Sequence, residues 1–184
     1  MVRLVQAGEM RREGSLIPRY RAMVDAGSDN FLGLSIAQHA TEIGALVDRF
    51  GAKTAIDVGC GRGDQYEEPF RLDKKWGLDS IWKYDPAFET HDALPEDGTL
   101  FDAVLCSDVL EHVPRREVDE FIETLFGYAA KFVWASVCCR PAKKLFPQDQ
   151  TNLHVTVMPF SWWTERFEAA RRGRAVPFFL IETP

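Results

Sequence analysis

Apolar and polar residues follow two alternating patterns along this chain. Short apolar runs, typical of buried strands, alternate with longer segments in which apolar residues recur every three or four positions, as in amphipathic helices. Strands separated by helices favour a parallel sheet with helices on both faces. We therefore predict an α/β fold with a mostly parallel sheet of five or six strands. The predicted strands are Thr54–Val58, Ser80–Tyr84, Phe101–Cys106, Phe132–Cys138 and Pro177–Ile181.

In three segments, apolar residues recur every three or four positions, as in a helix. The first begins at Ser35, which has a glutamine three residues later as in a capping box, and it ends before Gly51. The second follows Pro114, a residue suited to the first turn of a helix. The third begins at Ser161 as a capping residue and ends at Gly173. The predicted helices thus fall between the predicted strands, as a parallel sheet requires.

Length and composition indicate one globular domain. The 184 residues are 46% hydrophobic and 27% charged, which is ordinary for a globular protein with a sizeable core. The first thirty residues are polar and weakly periodic, so residues 1–30 are predicted to be an irregular or short-helical lead-in. Residues 31–184 are predicted to form a single domain. No apolar run reaches the length of a membrane span or a signal peptide, which favours a cytoplasmic protein.

Charge and cysteine usage exclude some partners. The net charge of −6 disfavours nonspecific binding to nucleic acid, which needs a basic surface. The four cysteines lack the paired spacing of a zinc site, and we expect reduced thiols and no bound metal. The sequence does not indicate an oligomeric state.

The turn after the first strand carries the strongest candidate binding site. Asp57 lies near the end of this strand, and Gly59, Gly61 and Gly63 follow it in a Gly-x-Gly-x-Gly turn. Glycines permit positive φ angles and let a ligand approach the bare backbone. Asp85 follows at the end of the second strand, where its carboxylate can accept hydrogen bonds from both hydroxyls of a ribose. Ligands of open parallel sheets bind beyond the carboxyl ends of the strands, so these residues predict a nucleotide-like ligand there.

Two other interpretations fit parts of this turn. One is a tight connection from strand to helix with no ligand, because glycine-rich turns are common. The other is a dinucleotide-binding turn, whose G-x-G-x-x-G fingerprint needs a third glycine where the helix packs on the strand. This chain has Asp64 at that position and Gly63 one residue earlier. The substitution disfavours nicotinamide and flavin cofactors.

Two motifs together resemble those of class I S-adenosylmethionine-dependent methyltransferases. Asp57–Gly63 is similar to their motif I, and Ser107–Val113 resembles the segment after their fourth strand. The likeness is greatest to ubiquinone-biosynthesis-like methyltransferases and covers about residues 31–138. It implies a Rossmann-like fold, S-adenosyl-L-methionine as the cofactor, and S-adenosyl-L-homocysteine as its product.

The resemblance also implies where the cofactor binds. The methionine part would lie on Asp57 and the glycine turn, the ribose on Asp85, and the methyl-bearing sulfonium beside Asp108. The implied cofactor-binding residues are Asp57, Gly59, Cys60, Gly61, Gly63, Asp85, Pro86, Asp92, Ser107, Asp108, Val109 and Leu110.

The interval after Asp85 departs from the superfamily pattern. Asp102 follows Asp85 by 17 positions (102 − 85), about half of what the superfamily uses there for a helix and a third strand. Pro86 and Pro95 make a full helix in this interval still less favourable. We predict that the fold is reduced between the superfamily's second and fourth strands. The shortened interval leaves the superfamily's usual acidic contact to adenine without its normal position. Asp92 is the candidate for this contact, and a solvated loop aspartate is the alternative interpretation of Asp92.

A hydroxyl acceptor needs a base that works near neutral pH, and histidine suits that role. His154 lies in the connection after the strand that ends at Cys138, where acceptor-binding residues gather in the superfamily. We predict that it lies within a side chain's length of the sulfonium and that Asn152 orients the acceptor. His112 and Asp108 complete the candidate catalytic set. Helix capping or packing is the alternative role for His112.

Three classes of function fit these observations. The leading prediction is an O-methyltransferase for a small molecule or a glycan. The second is a methyltransferase that acts on protein or nucleic acid, and the third is a noncatalytic protein that binds S-adenosylmethionine. A closed apolar pocket would favour the first class, whereas an open, positively charged groove would favour the second.

Overall fold

A single parallel sheet organises the protein. The computed structural model describes residues 15–27 and 31–184. Its five strands have the order β2-β1-β3-β4-β5, and every adjacent pair is parallel. This confirms the predicted mostly parallel sheet of five or six strands. In chain order the strands are β1 (Thr54–Val58), β2 (Ser80–Tyr84), β3 (Phe101–Ser107), β4 (Ala129–Cys138) and β5 (Phe178–Thr183).

Helices cover both faces of the sheet. One face packs against α2 and α3, and the other packs against α4 and α5. Successive side chains of a strand point to opposite faces, and β4 shows this directly. Its Phe132 and Trp134 pack with α2, whereas Val133 and Ala135 pack with α4 and α5. Among the described residues the α-helices are α1 (Ile17–Asp25), α2 (Ala40–Phe50), α3 (Leu72–Lys75), α4 (Val118–Tyr128) and α5 (Phe160–Arg171).

The predicted capping box at Ser35 is wrong. A 3-10 segment occupies Leu34–His39, and α2 begins only at Ala40, with no side-chain cap at either start. The Ser35 hydroxyl lies 3.1 Å from the Ser107 hydroxyl instead. The serine therefore joins the lead into α2 to the end of β3.

The starts of α4 and α5 also differ from the prediction. Pro114 precedes a short 3-10 turn, and α4 begins after that turn at Val118. Ser161 does not cap α5, because the helix begins at Phe160 and its capping position is Pro159. Proline fixes its own φ, here −57°, and holds the chain extended up to the first helical residue. The backbone thus makes this helix start without a side-chain cap.

The connection between β2 and β3 contains neither a helix nor a strand. Residues 85–100 run as turns and irregular chain, and the indole of Trp82 donates a hydrogen bond to the carbonyl of Ala93. This confirms the predicted reduction of the fold. The sheet consequently ends at β2, with no further strand beyond it among the described residues.

Part of the predicted lead-in is helical. Helix α1 packs Met23 against Phe146 and Leu153, which belong to the long connection after β4. The remainder of the lead-in, residues 1–14 and 28–30, lies outside the described residues. No helix in the described ranges is long and apolar enough to cross a membrane.

Candidate active site

A cleft of about 970 Å³ opens at the carboxyl ends of the strands. Helix α1, the segments after β1, β2 and β3, and the long connection after β4 form its walls. The volume is at the upper end of the range typical of ligand sites. Nine of the predicted site residues line it: Gly59, Gly61, Asp85, Pro86, Ser107, Asp108, Val109, His112 and His154.

The carboxylate of Asp57 faces the protein interior. It accepts hydrogen bonds from the Gln65 amide at 2.9 Å and from the Tyr66 hydroxyl at 2.8 Å. Burial raises the pKa of Asp57 to about 6, although both hydrogen bonds act in the opposite direction. Asp57 therefore fixes the glycine turn to the short 3-10 helix that follows it, and does not line the cleft.

The glycines of the turn are needed by the protein's own packing. Gly59 and Gly61 have φ values of 85° and 59°, which disfavour any residue with a Cβ. A Cβ on Gly59 would lie 2.2 Å from the Val109 side chain, and one on Gly61 would lie 2.5 Å from the Phe31 carbonyl. The predicted close approach at these positions is thus made by protein atoms, whatever ligand also contacts the turn.

Asp85 lies in the wall of the cleft and organises the turns around it. One carboxylate oxygen accepts from the backbone N–H of Gly61, and the other accepts from that of Ala87, both at 2.9 Å. Burial raises the pKa of Asp85, and the two backbone hydrogen bonds partly offset this effect. A carboxylate offers about four lone-pair sites. Each oxygen of Asp85 can therefore accept a further hydrogen bond from a ligand.

Four other residues of the implied cofactor set lie off the cleft. The thiol of Cys60 is buried and donates to the Gly61 carbonyl. Gly63 packs beside the Lys83 side chain, and Leu110 lies wholly in the core. The carboxylate of Asp92 points outward and pairs with Arg21 at 3.3 Å. Asp92, the predicted adenine contact, therefore does not line the cleft.

Asp108 occupies a strained position at the end of β3. Its φ of 53° is in the left-handed region, which is uncommon for a residue other than glycine. One carboxylate oxygen accepts hydrogen bonds from the hydroxyls of Ser136 and Thr183, both at 2.9 Å. Ser136 in turn lies 3.1 Å from the Ser107 hydroxyl. These hydroxyls orient Asp108, and sequence reasoning missed Ser136 and Thr183 because they come from β4 and β5.

His112 is half-buried in the wall of the cleft. Its Nδ1 lies 3.0 Å from the Leu153 carbonyl, which requires a proton on that nitrogen, and 3.0 Å from the Tyr20 hydroxyl. Burial lowers the pKa of His112 to about 4. The imidazole is therefore neutral near pH 7, with the lone pair on Nε2.

His154 stands beside His112, with the two ring centroids 4.9 Å apart and the rings nearly perpendicular. Its Nδ1 lies 2.6 Å from the Arg140 carbonyl, so this nitrogen is the donor, and in the neutral ring Nε2 carries the lone pair. Asn152, predicted to orient the acceptor, does not line the cleft. Its amide oxygen accepts from the N–H groups of His154 and Ala142, and its amide nitrogen donates to the Ala142 carbonyl. Asn152 holds the loop that carries His154.

A family model described as a methyltransferase domain matches residues 36–180. The chain belongs to this methyltransferase family. It is therefore an enzyme that uses S-adenosylmethionine as its methyl donor, which confirms the resemblance read from the two motifs. The comparisons with curated proteins and with solved structures gave no match.

The methyltransferase has a further buried acid that sequence reasoning missed. Glu111 is 0% exposed. One of its carboxylate oxygens accepts from the backbone N–H of Cys138 at 3.0 Å, while the other has no hydrogen-bond partner among the described residues. Burial raises the pKa of Glu111 to about 8. Its position after β3 was visible in the sequence, but nothing there distinguished it from an exposed residue of a short helical turn.

Proposed function

We propose that this methyltransferase transfers a methyl group to a hydroxyl group of a small molecule or a glycan. The observation that carries the proposal is the grouping of Asp108, His112 and His154 at one end of a mainly apolar cleft. A cleft of this kind encloses a small acceptor and keeps water from it. Methyl transfer is an in-line displacement, so the protein has mainly to position the acceptor and exclude water.

The cofactor end of the cleft suits S-adenosylmethionine. We assign the ribose hydroxyls to Asp85, whose oxygens retain free lone pairs, and the adjacent wall to Pro86. The methionine part would lie along Gly59 and Gly61. Asp57 acts on this site through the turn that it holds.

The acceptor end supplies the groups for deprotonation and orientation. When bound, S-adenosylmethionine supplies a methyl group on a positively charged sulfur, which the acceptor oxygen attacks as the carbon–sulfur bond breaks. The carboxylate of Asp108, fixed by two hydroxyls, places negative charge beside that end of the cleft. Of the two histidines, we assign loss of the acceptor proton to His154. His112 is too weak a base, because burial lowers its pKa to about 4.

One wall of the cleft favours an acceptor with an anionic group. Arg140, Lys143 and Lys144 line it. An acidic sugar or a carboxylated small molecule would fit such a wall. The phosphate of a nucleic acid would fit it as well, so nucleic acid is the second candidate acceptor.

Methyl-labelled S-adenosylmethionine tests these assignments. The enzyme is incubated with separate mixtures of phenols, neutral sugars, uronic acids, proteins and RNA, and incorporated label is measured before and after mild alkali. We expect alkali-stable label, as in a methyl ether, in a small-molecule or sugar mixture. Label confined to protein or RNA would overturn the proposed acceptor class. Binding of S-adenosylhomocysteine without transfer to any mixture would favour the noncatalytic alternative.

A further inference from the structure

Three side chains that can ligate a metal meet behind the acceptor end of the cleft. A carboxylate oxygen of Glu111, the sulfur of Cys138 and a ring nitrogen of His154 all lie within 4.8 Å of one another. They come from the turn after β3, the end of β4 and the connection that follows it. Cys138 and His154 line the cleft, and Glu111 lies beneath them.

Glu111 is the observation that points to a ligand. Burying a carboxylate without a partner for each oxygen is costly, yet one oxygen of this wholly buried side chain has none in the described ranges. A cation bound to that oxygen would supply the missing partner.

The histidine is oriented as a ligand would be. Histidines that bind metals usually donate their other ring N–H to a carboxylate or a backbone carbonyl, which fixes the ring. The Nδ1 of His154 donates to the Arg140 carbonyl, and the amide of Asn152 holds the same loop. The Nε2 atom is left with its lone pair available.

We propose that Glu111, Cys138 and His154 form a binding site for a soft divalent cation such as Zn²⁺. Zinc accepts sulfur, imidazole and carboxylate ligands, and catalytic zinc sites use three protein ligands and keep one position open. Ligands of a tetrahedral zinc lie about 3.5 Å apart, so the three groups need to close by about an ångström. The open position would face the cleft, since two of the ligands line it.

Such a site would change how His154 acts in the reaction. A bound divalent cation lowers the pKa of a hydroxyl group that reaches it, and the proton then leaves to solvent. His154 would promote loss of the acceptor proton by holding the cation. This consequence rests on the proposed function, whereas binding of the cation does not.

Cobalt provides a direct probe of the thiolate ligand. Metal-free protein is titrated with Co²⁺ while the near-ultraviolet thiolate-to-cobalt charge-transfer band is recorded, and Zn²⁺ affinity is measured by calorimetry. We expect one equivalent to bind with this band. Cys138→Ser should abolish the band, whereas Cys139→Ser is the matched control that should retain it. Glu111→Gln, which preserves the acceptor for the Cys138 N–H, and His154→Gln should weaken Zn²⁺ binding by more than about 100-fold, because even an outer-shell change costs roughly 10- to 100-fold.

Each result decides the proposal. Absence of stoichiometric binding, a charge-transfer band that persists in Cys138→Ser, or full Zn²⁺ affinity in Glu111→Gln would overturn the metal site. These measurements use no methyl acceptor. Binding of S-adenosylhomocysteine is measured in parallel, and its loss would count against the methyltransferase assignment alone.

Discussion

The two ends of the cleft satisfy their polar groups in different ways. At the proposed cofactor end, Asp57 and Asp85 each accept two hydrogen bonds from neighbouring turns, which are thereby fixed before any ligand arrives. At the proposed acceptor end, Glu111 has an oxygen without a partner among the described residues, and His112 and His154 each direct Nδ1 at a backbone carbonyl, which leaves Nε2 for other partners. The cofactor end is therefore largely formed before a ligand binds, whereas polar atoms at the acceptor end remain available to bind a substrate or an ion.

Removing the imidazole of His154 should have the largest effect, which we expect on turnover. We expect His154→Ala to lower turnover by roughly 10²- to 10⁴-fold, the usual cost of losing a general base or its equivalent. The affinity for S-adenosylhomocysteine should stay within about twofold of the wild-type value, because His154 lies at the other end. Turnover and calorimetric affinity measured on the same preparation separate the two ends. If the variant turns over a known acceptor at the wild-type rate, the role assigned to His154 is wrong.

Adding a single methyl group to the glycine turn after β1 should destabilise the protein. Gly59→Ala combines a positive φ with a Cβ that meets Val109 at 2.2 Å, and we expect it to lower the free energy of unfolding by about 2 to 5 kcal/mol. Urea unfolding measures the change. Val109→Ala should recover part of this loss, since it removes the clash but leaves the backbone strain. A double variant as unstable as the sum of the two single variants would show that the two sites do not interact.

Asp57 should make the free energy of unfolding depend on pH. Its pKa is about 6 in the folded protein against an ordinary 3.8, so the folded state holds this proton more tightly than the unfolded chain. The contribution to stability is complete below pH 4 and is lost as the pH rises through 6. Asp57→Asn keeps an acceptor for both hydrogen bonds and should remove up to about 3 kcal/mol of this decline. Parallel curves for the two proteins between pH 4 and 7 would contradict the shift.

The smallest expected effect compares two aspartates near the cofactor end. Asp85→Ala should weaken S-adenosylhomocysteine binding by about 1.5 to 3 kcal/mol through the loss of hydrogen bonds to a charged group. Asp92→Ala is the matched control, and we expect no measurable change because its side chain points outward to Arg21. Calorimetry on both folded variants makes the comparison. Equal losses of S-adenosylhomocysteine affinity in the two variants would support Asp92 as an adenine contact.

Local spacing predicted one end of the cleft better than the other. The strand, the glycine turn and Asp85 lie close in sequence, and the structure brings Gly59, Gly61 and Asp85 together in the wall of the cleft. The pairing of Glu111 with Cys138 depends on how β3 and β4 align, which no local pattern encodes. The start of α2 was mispredicted for a related reason, since Ser35 bonds across the fold to Ser107.

The short connection between β2 and β3 has a consequence for how copies of the protein meet. Because no strand follows β2 in the described sheet, its outer backbone groups form an open edge, and the neighbouring Trp82 and Leu100 are 41% and 59% exposed. Open edges invite pairing with other chains, and proteins counter this with short strands and lysines at the edge. Here β2 has five residues and one lysine, Lys83. Resistance to edge-to-edge aggregation at high concentration therefore depends on one short strand and on a single lysine, whose ammonium pairs with Glu67 at 3.3 Å.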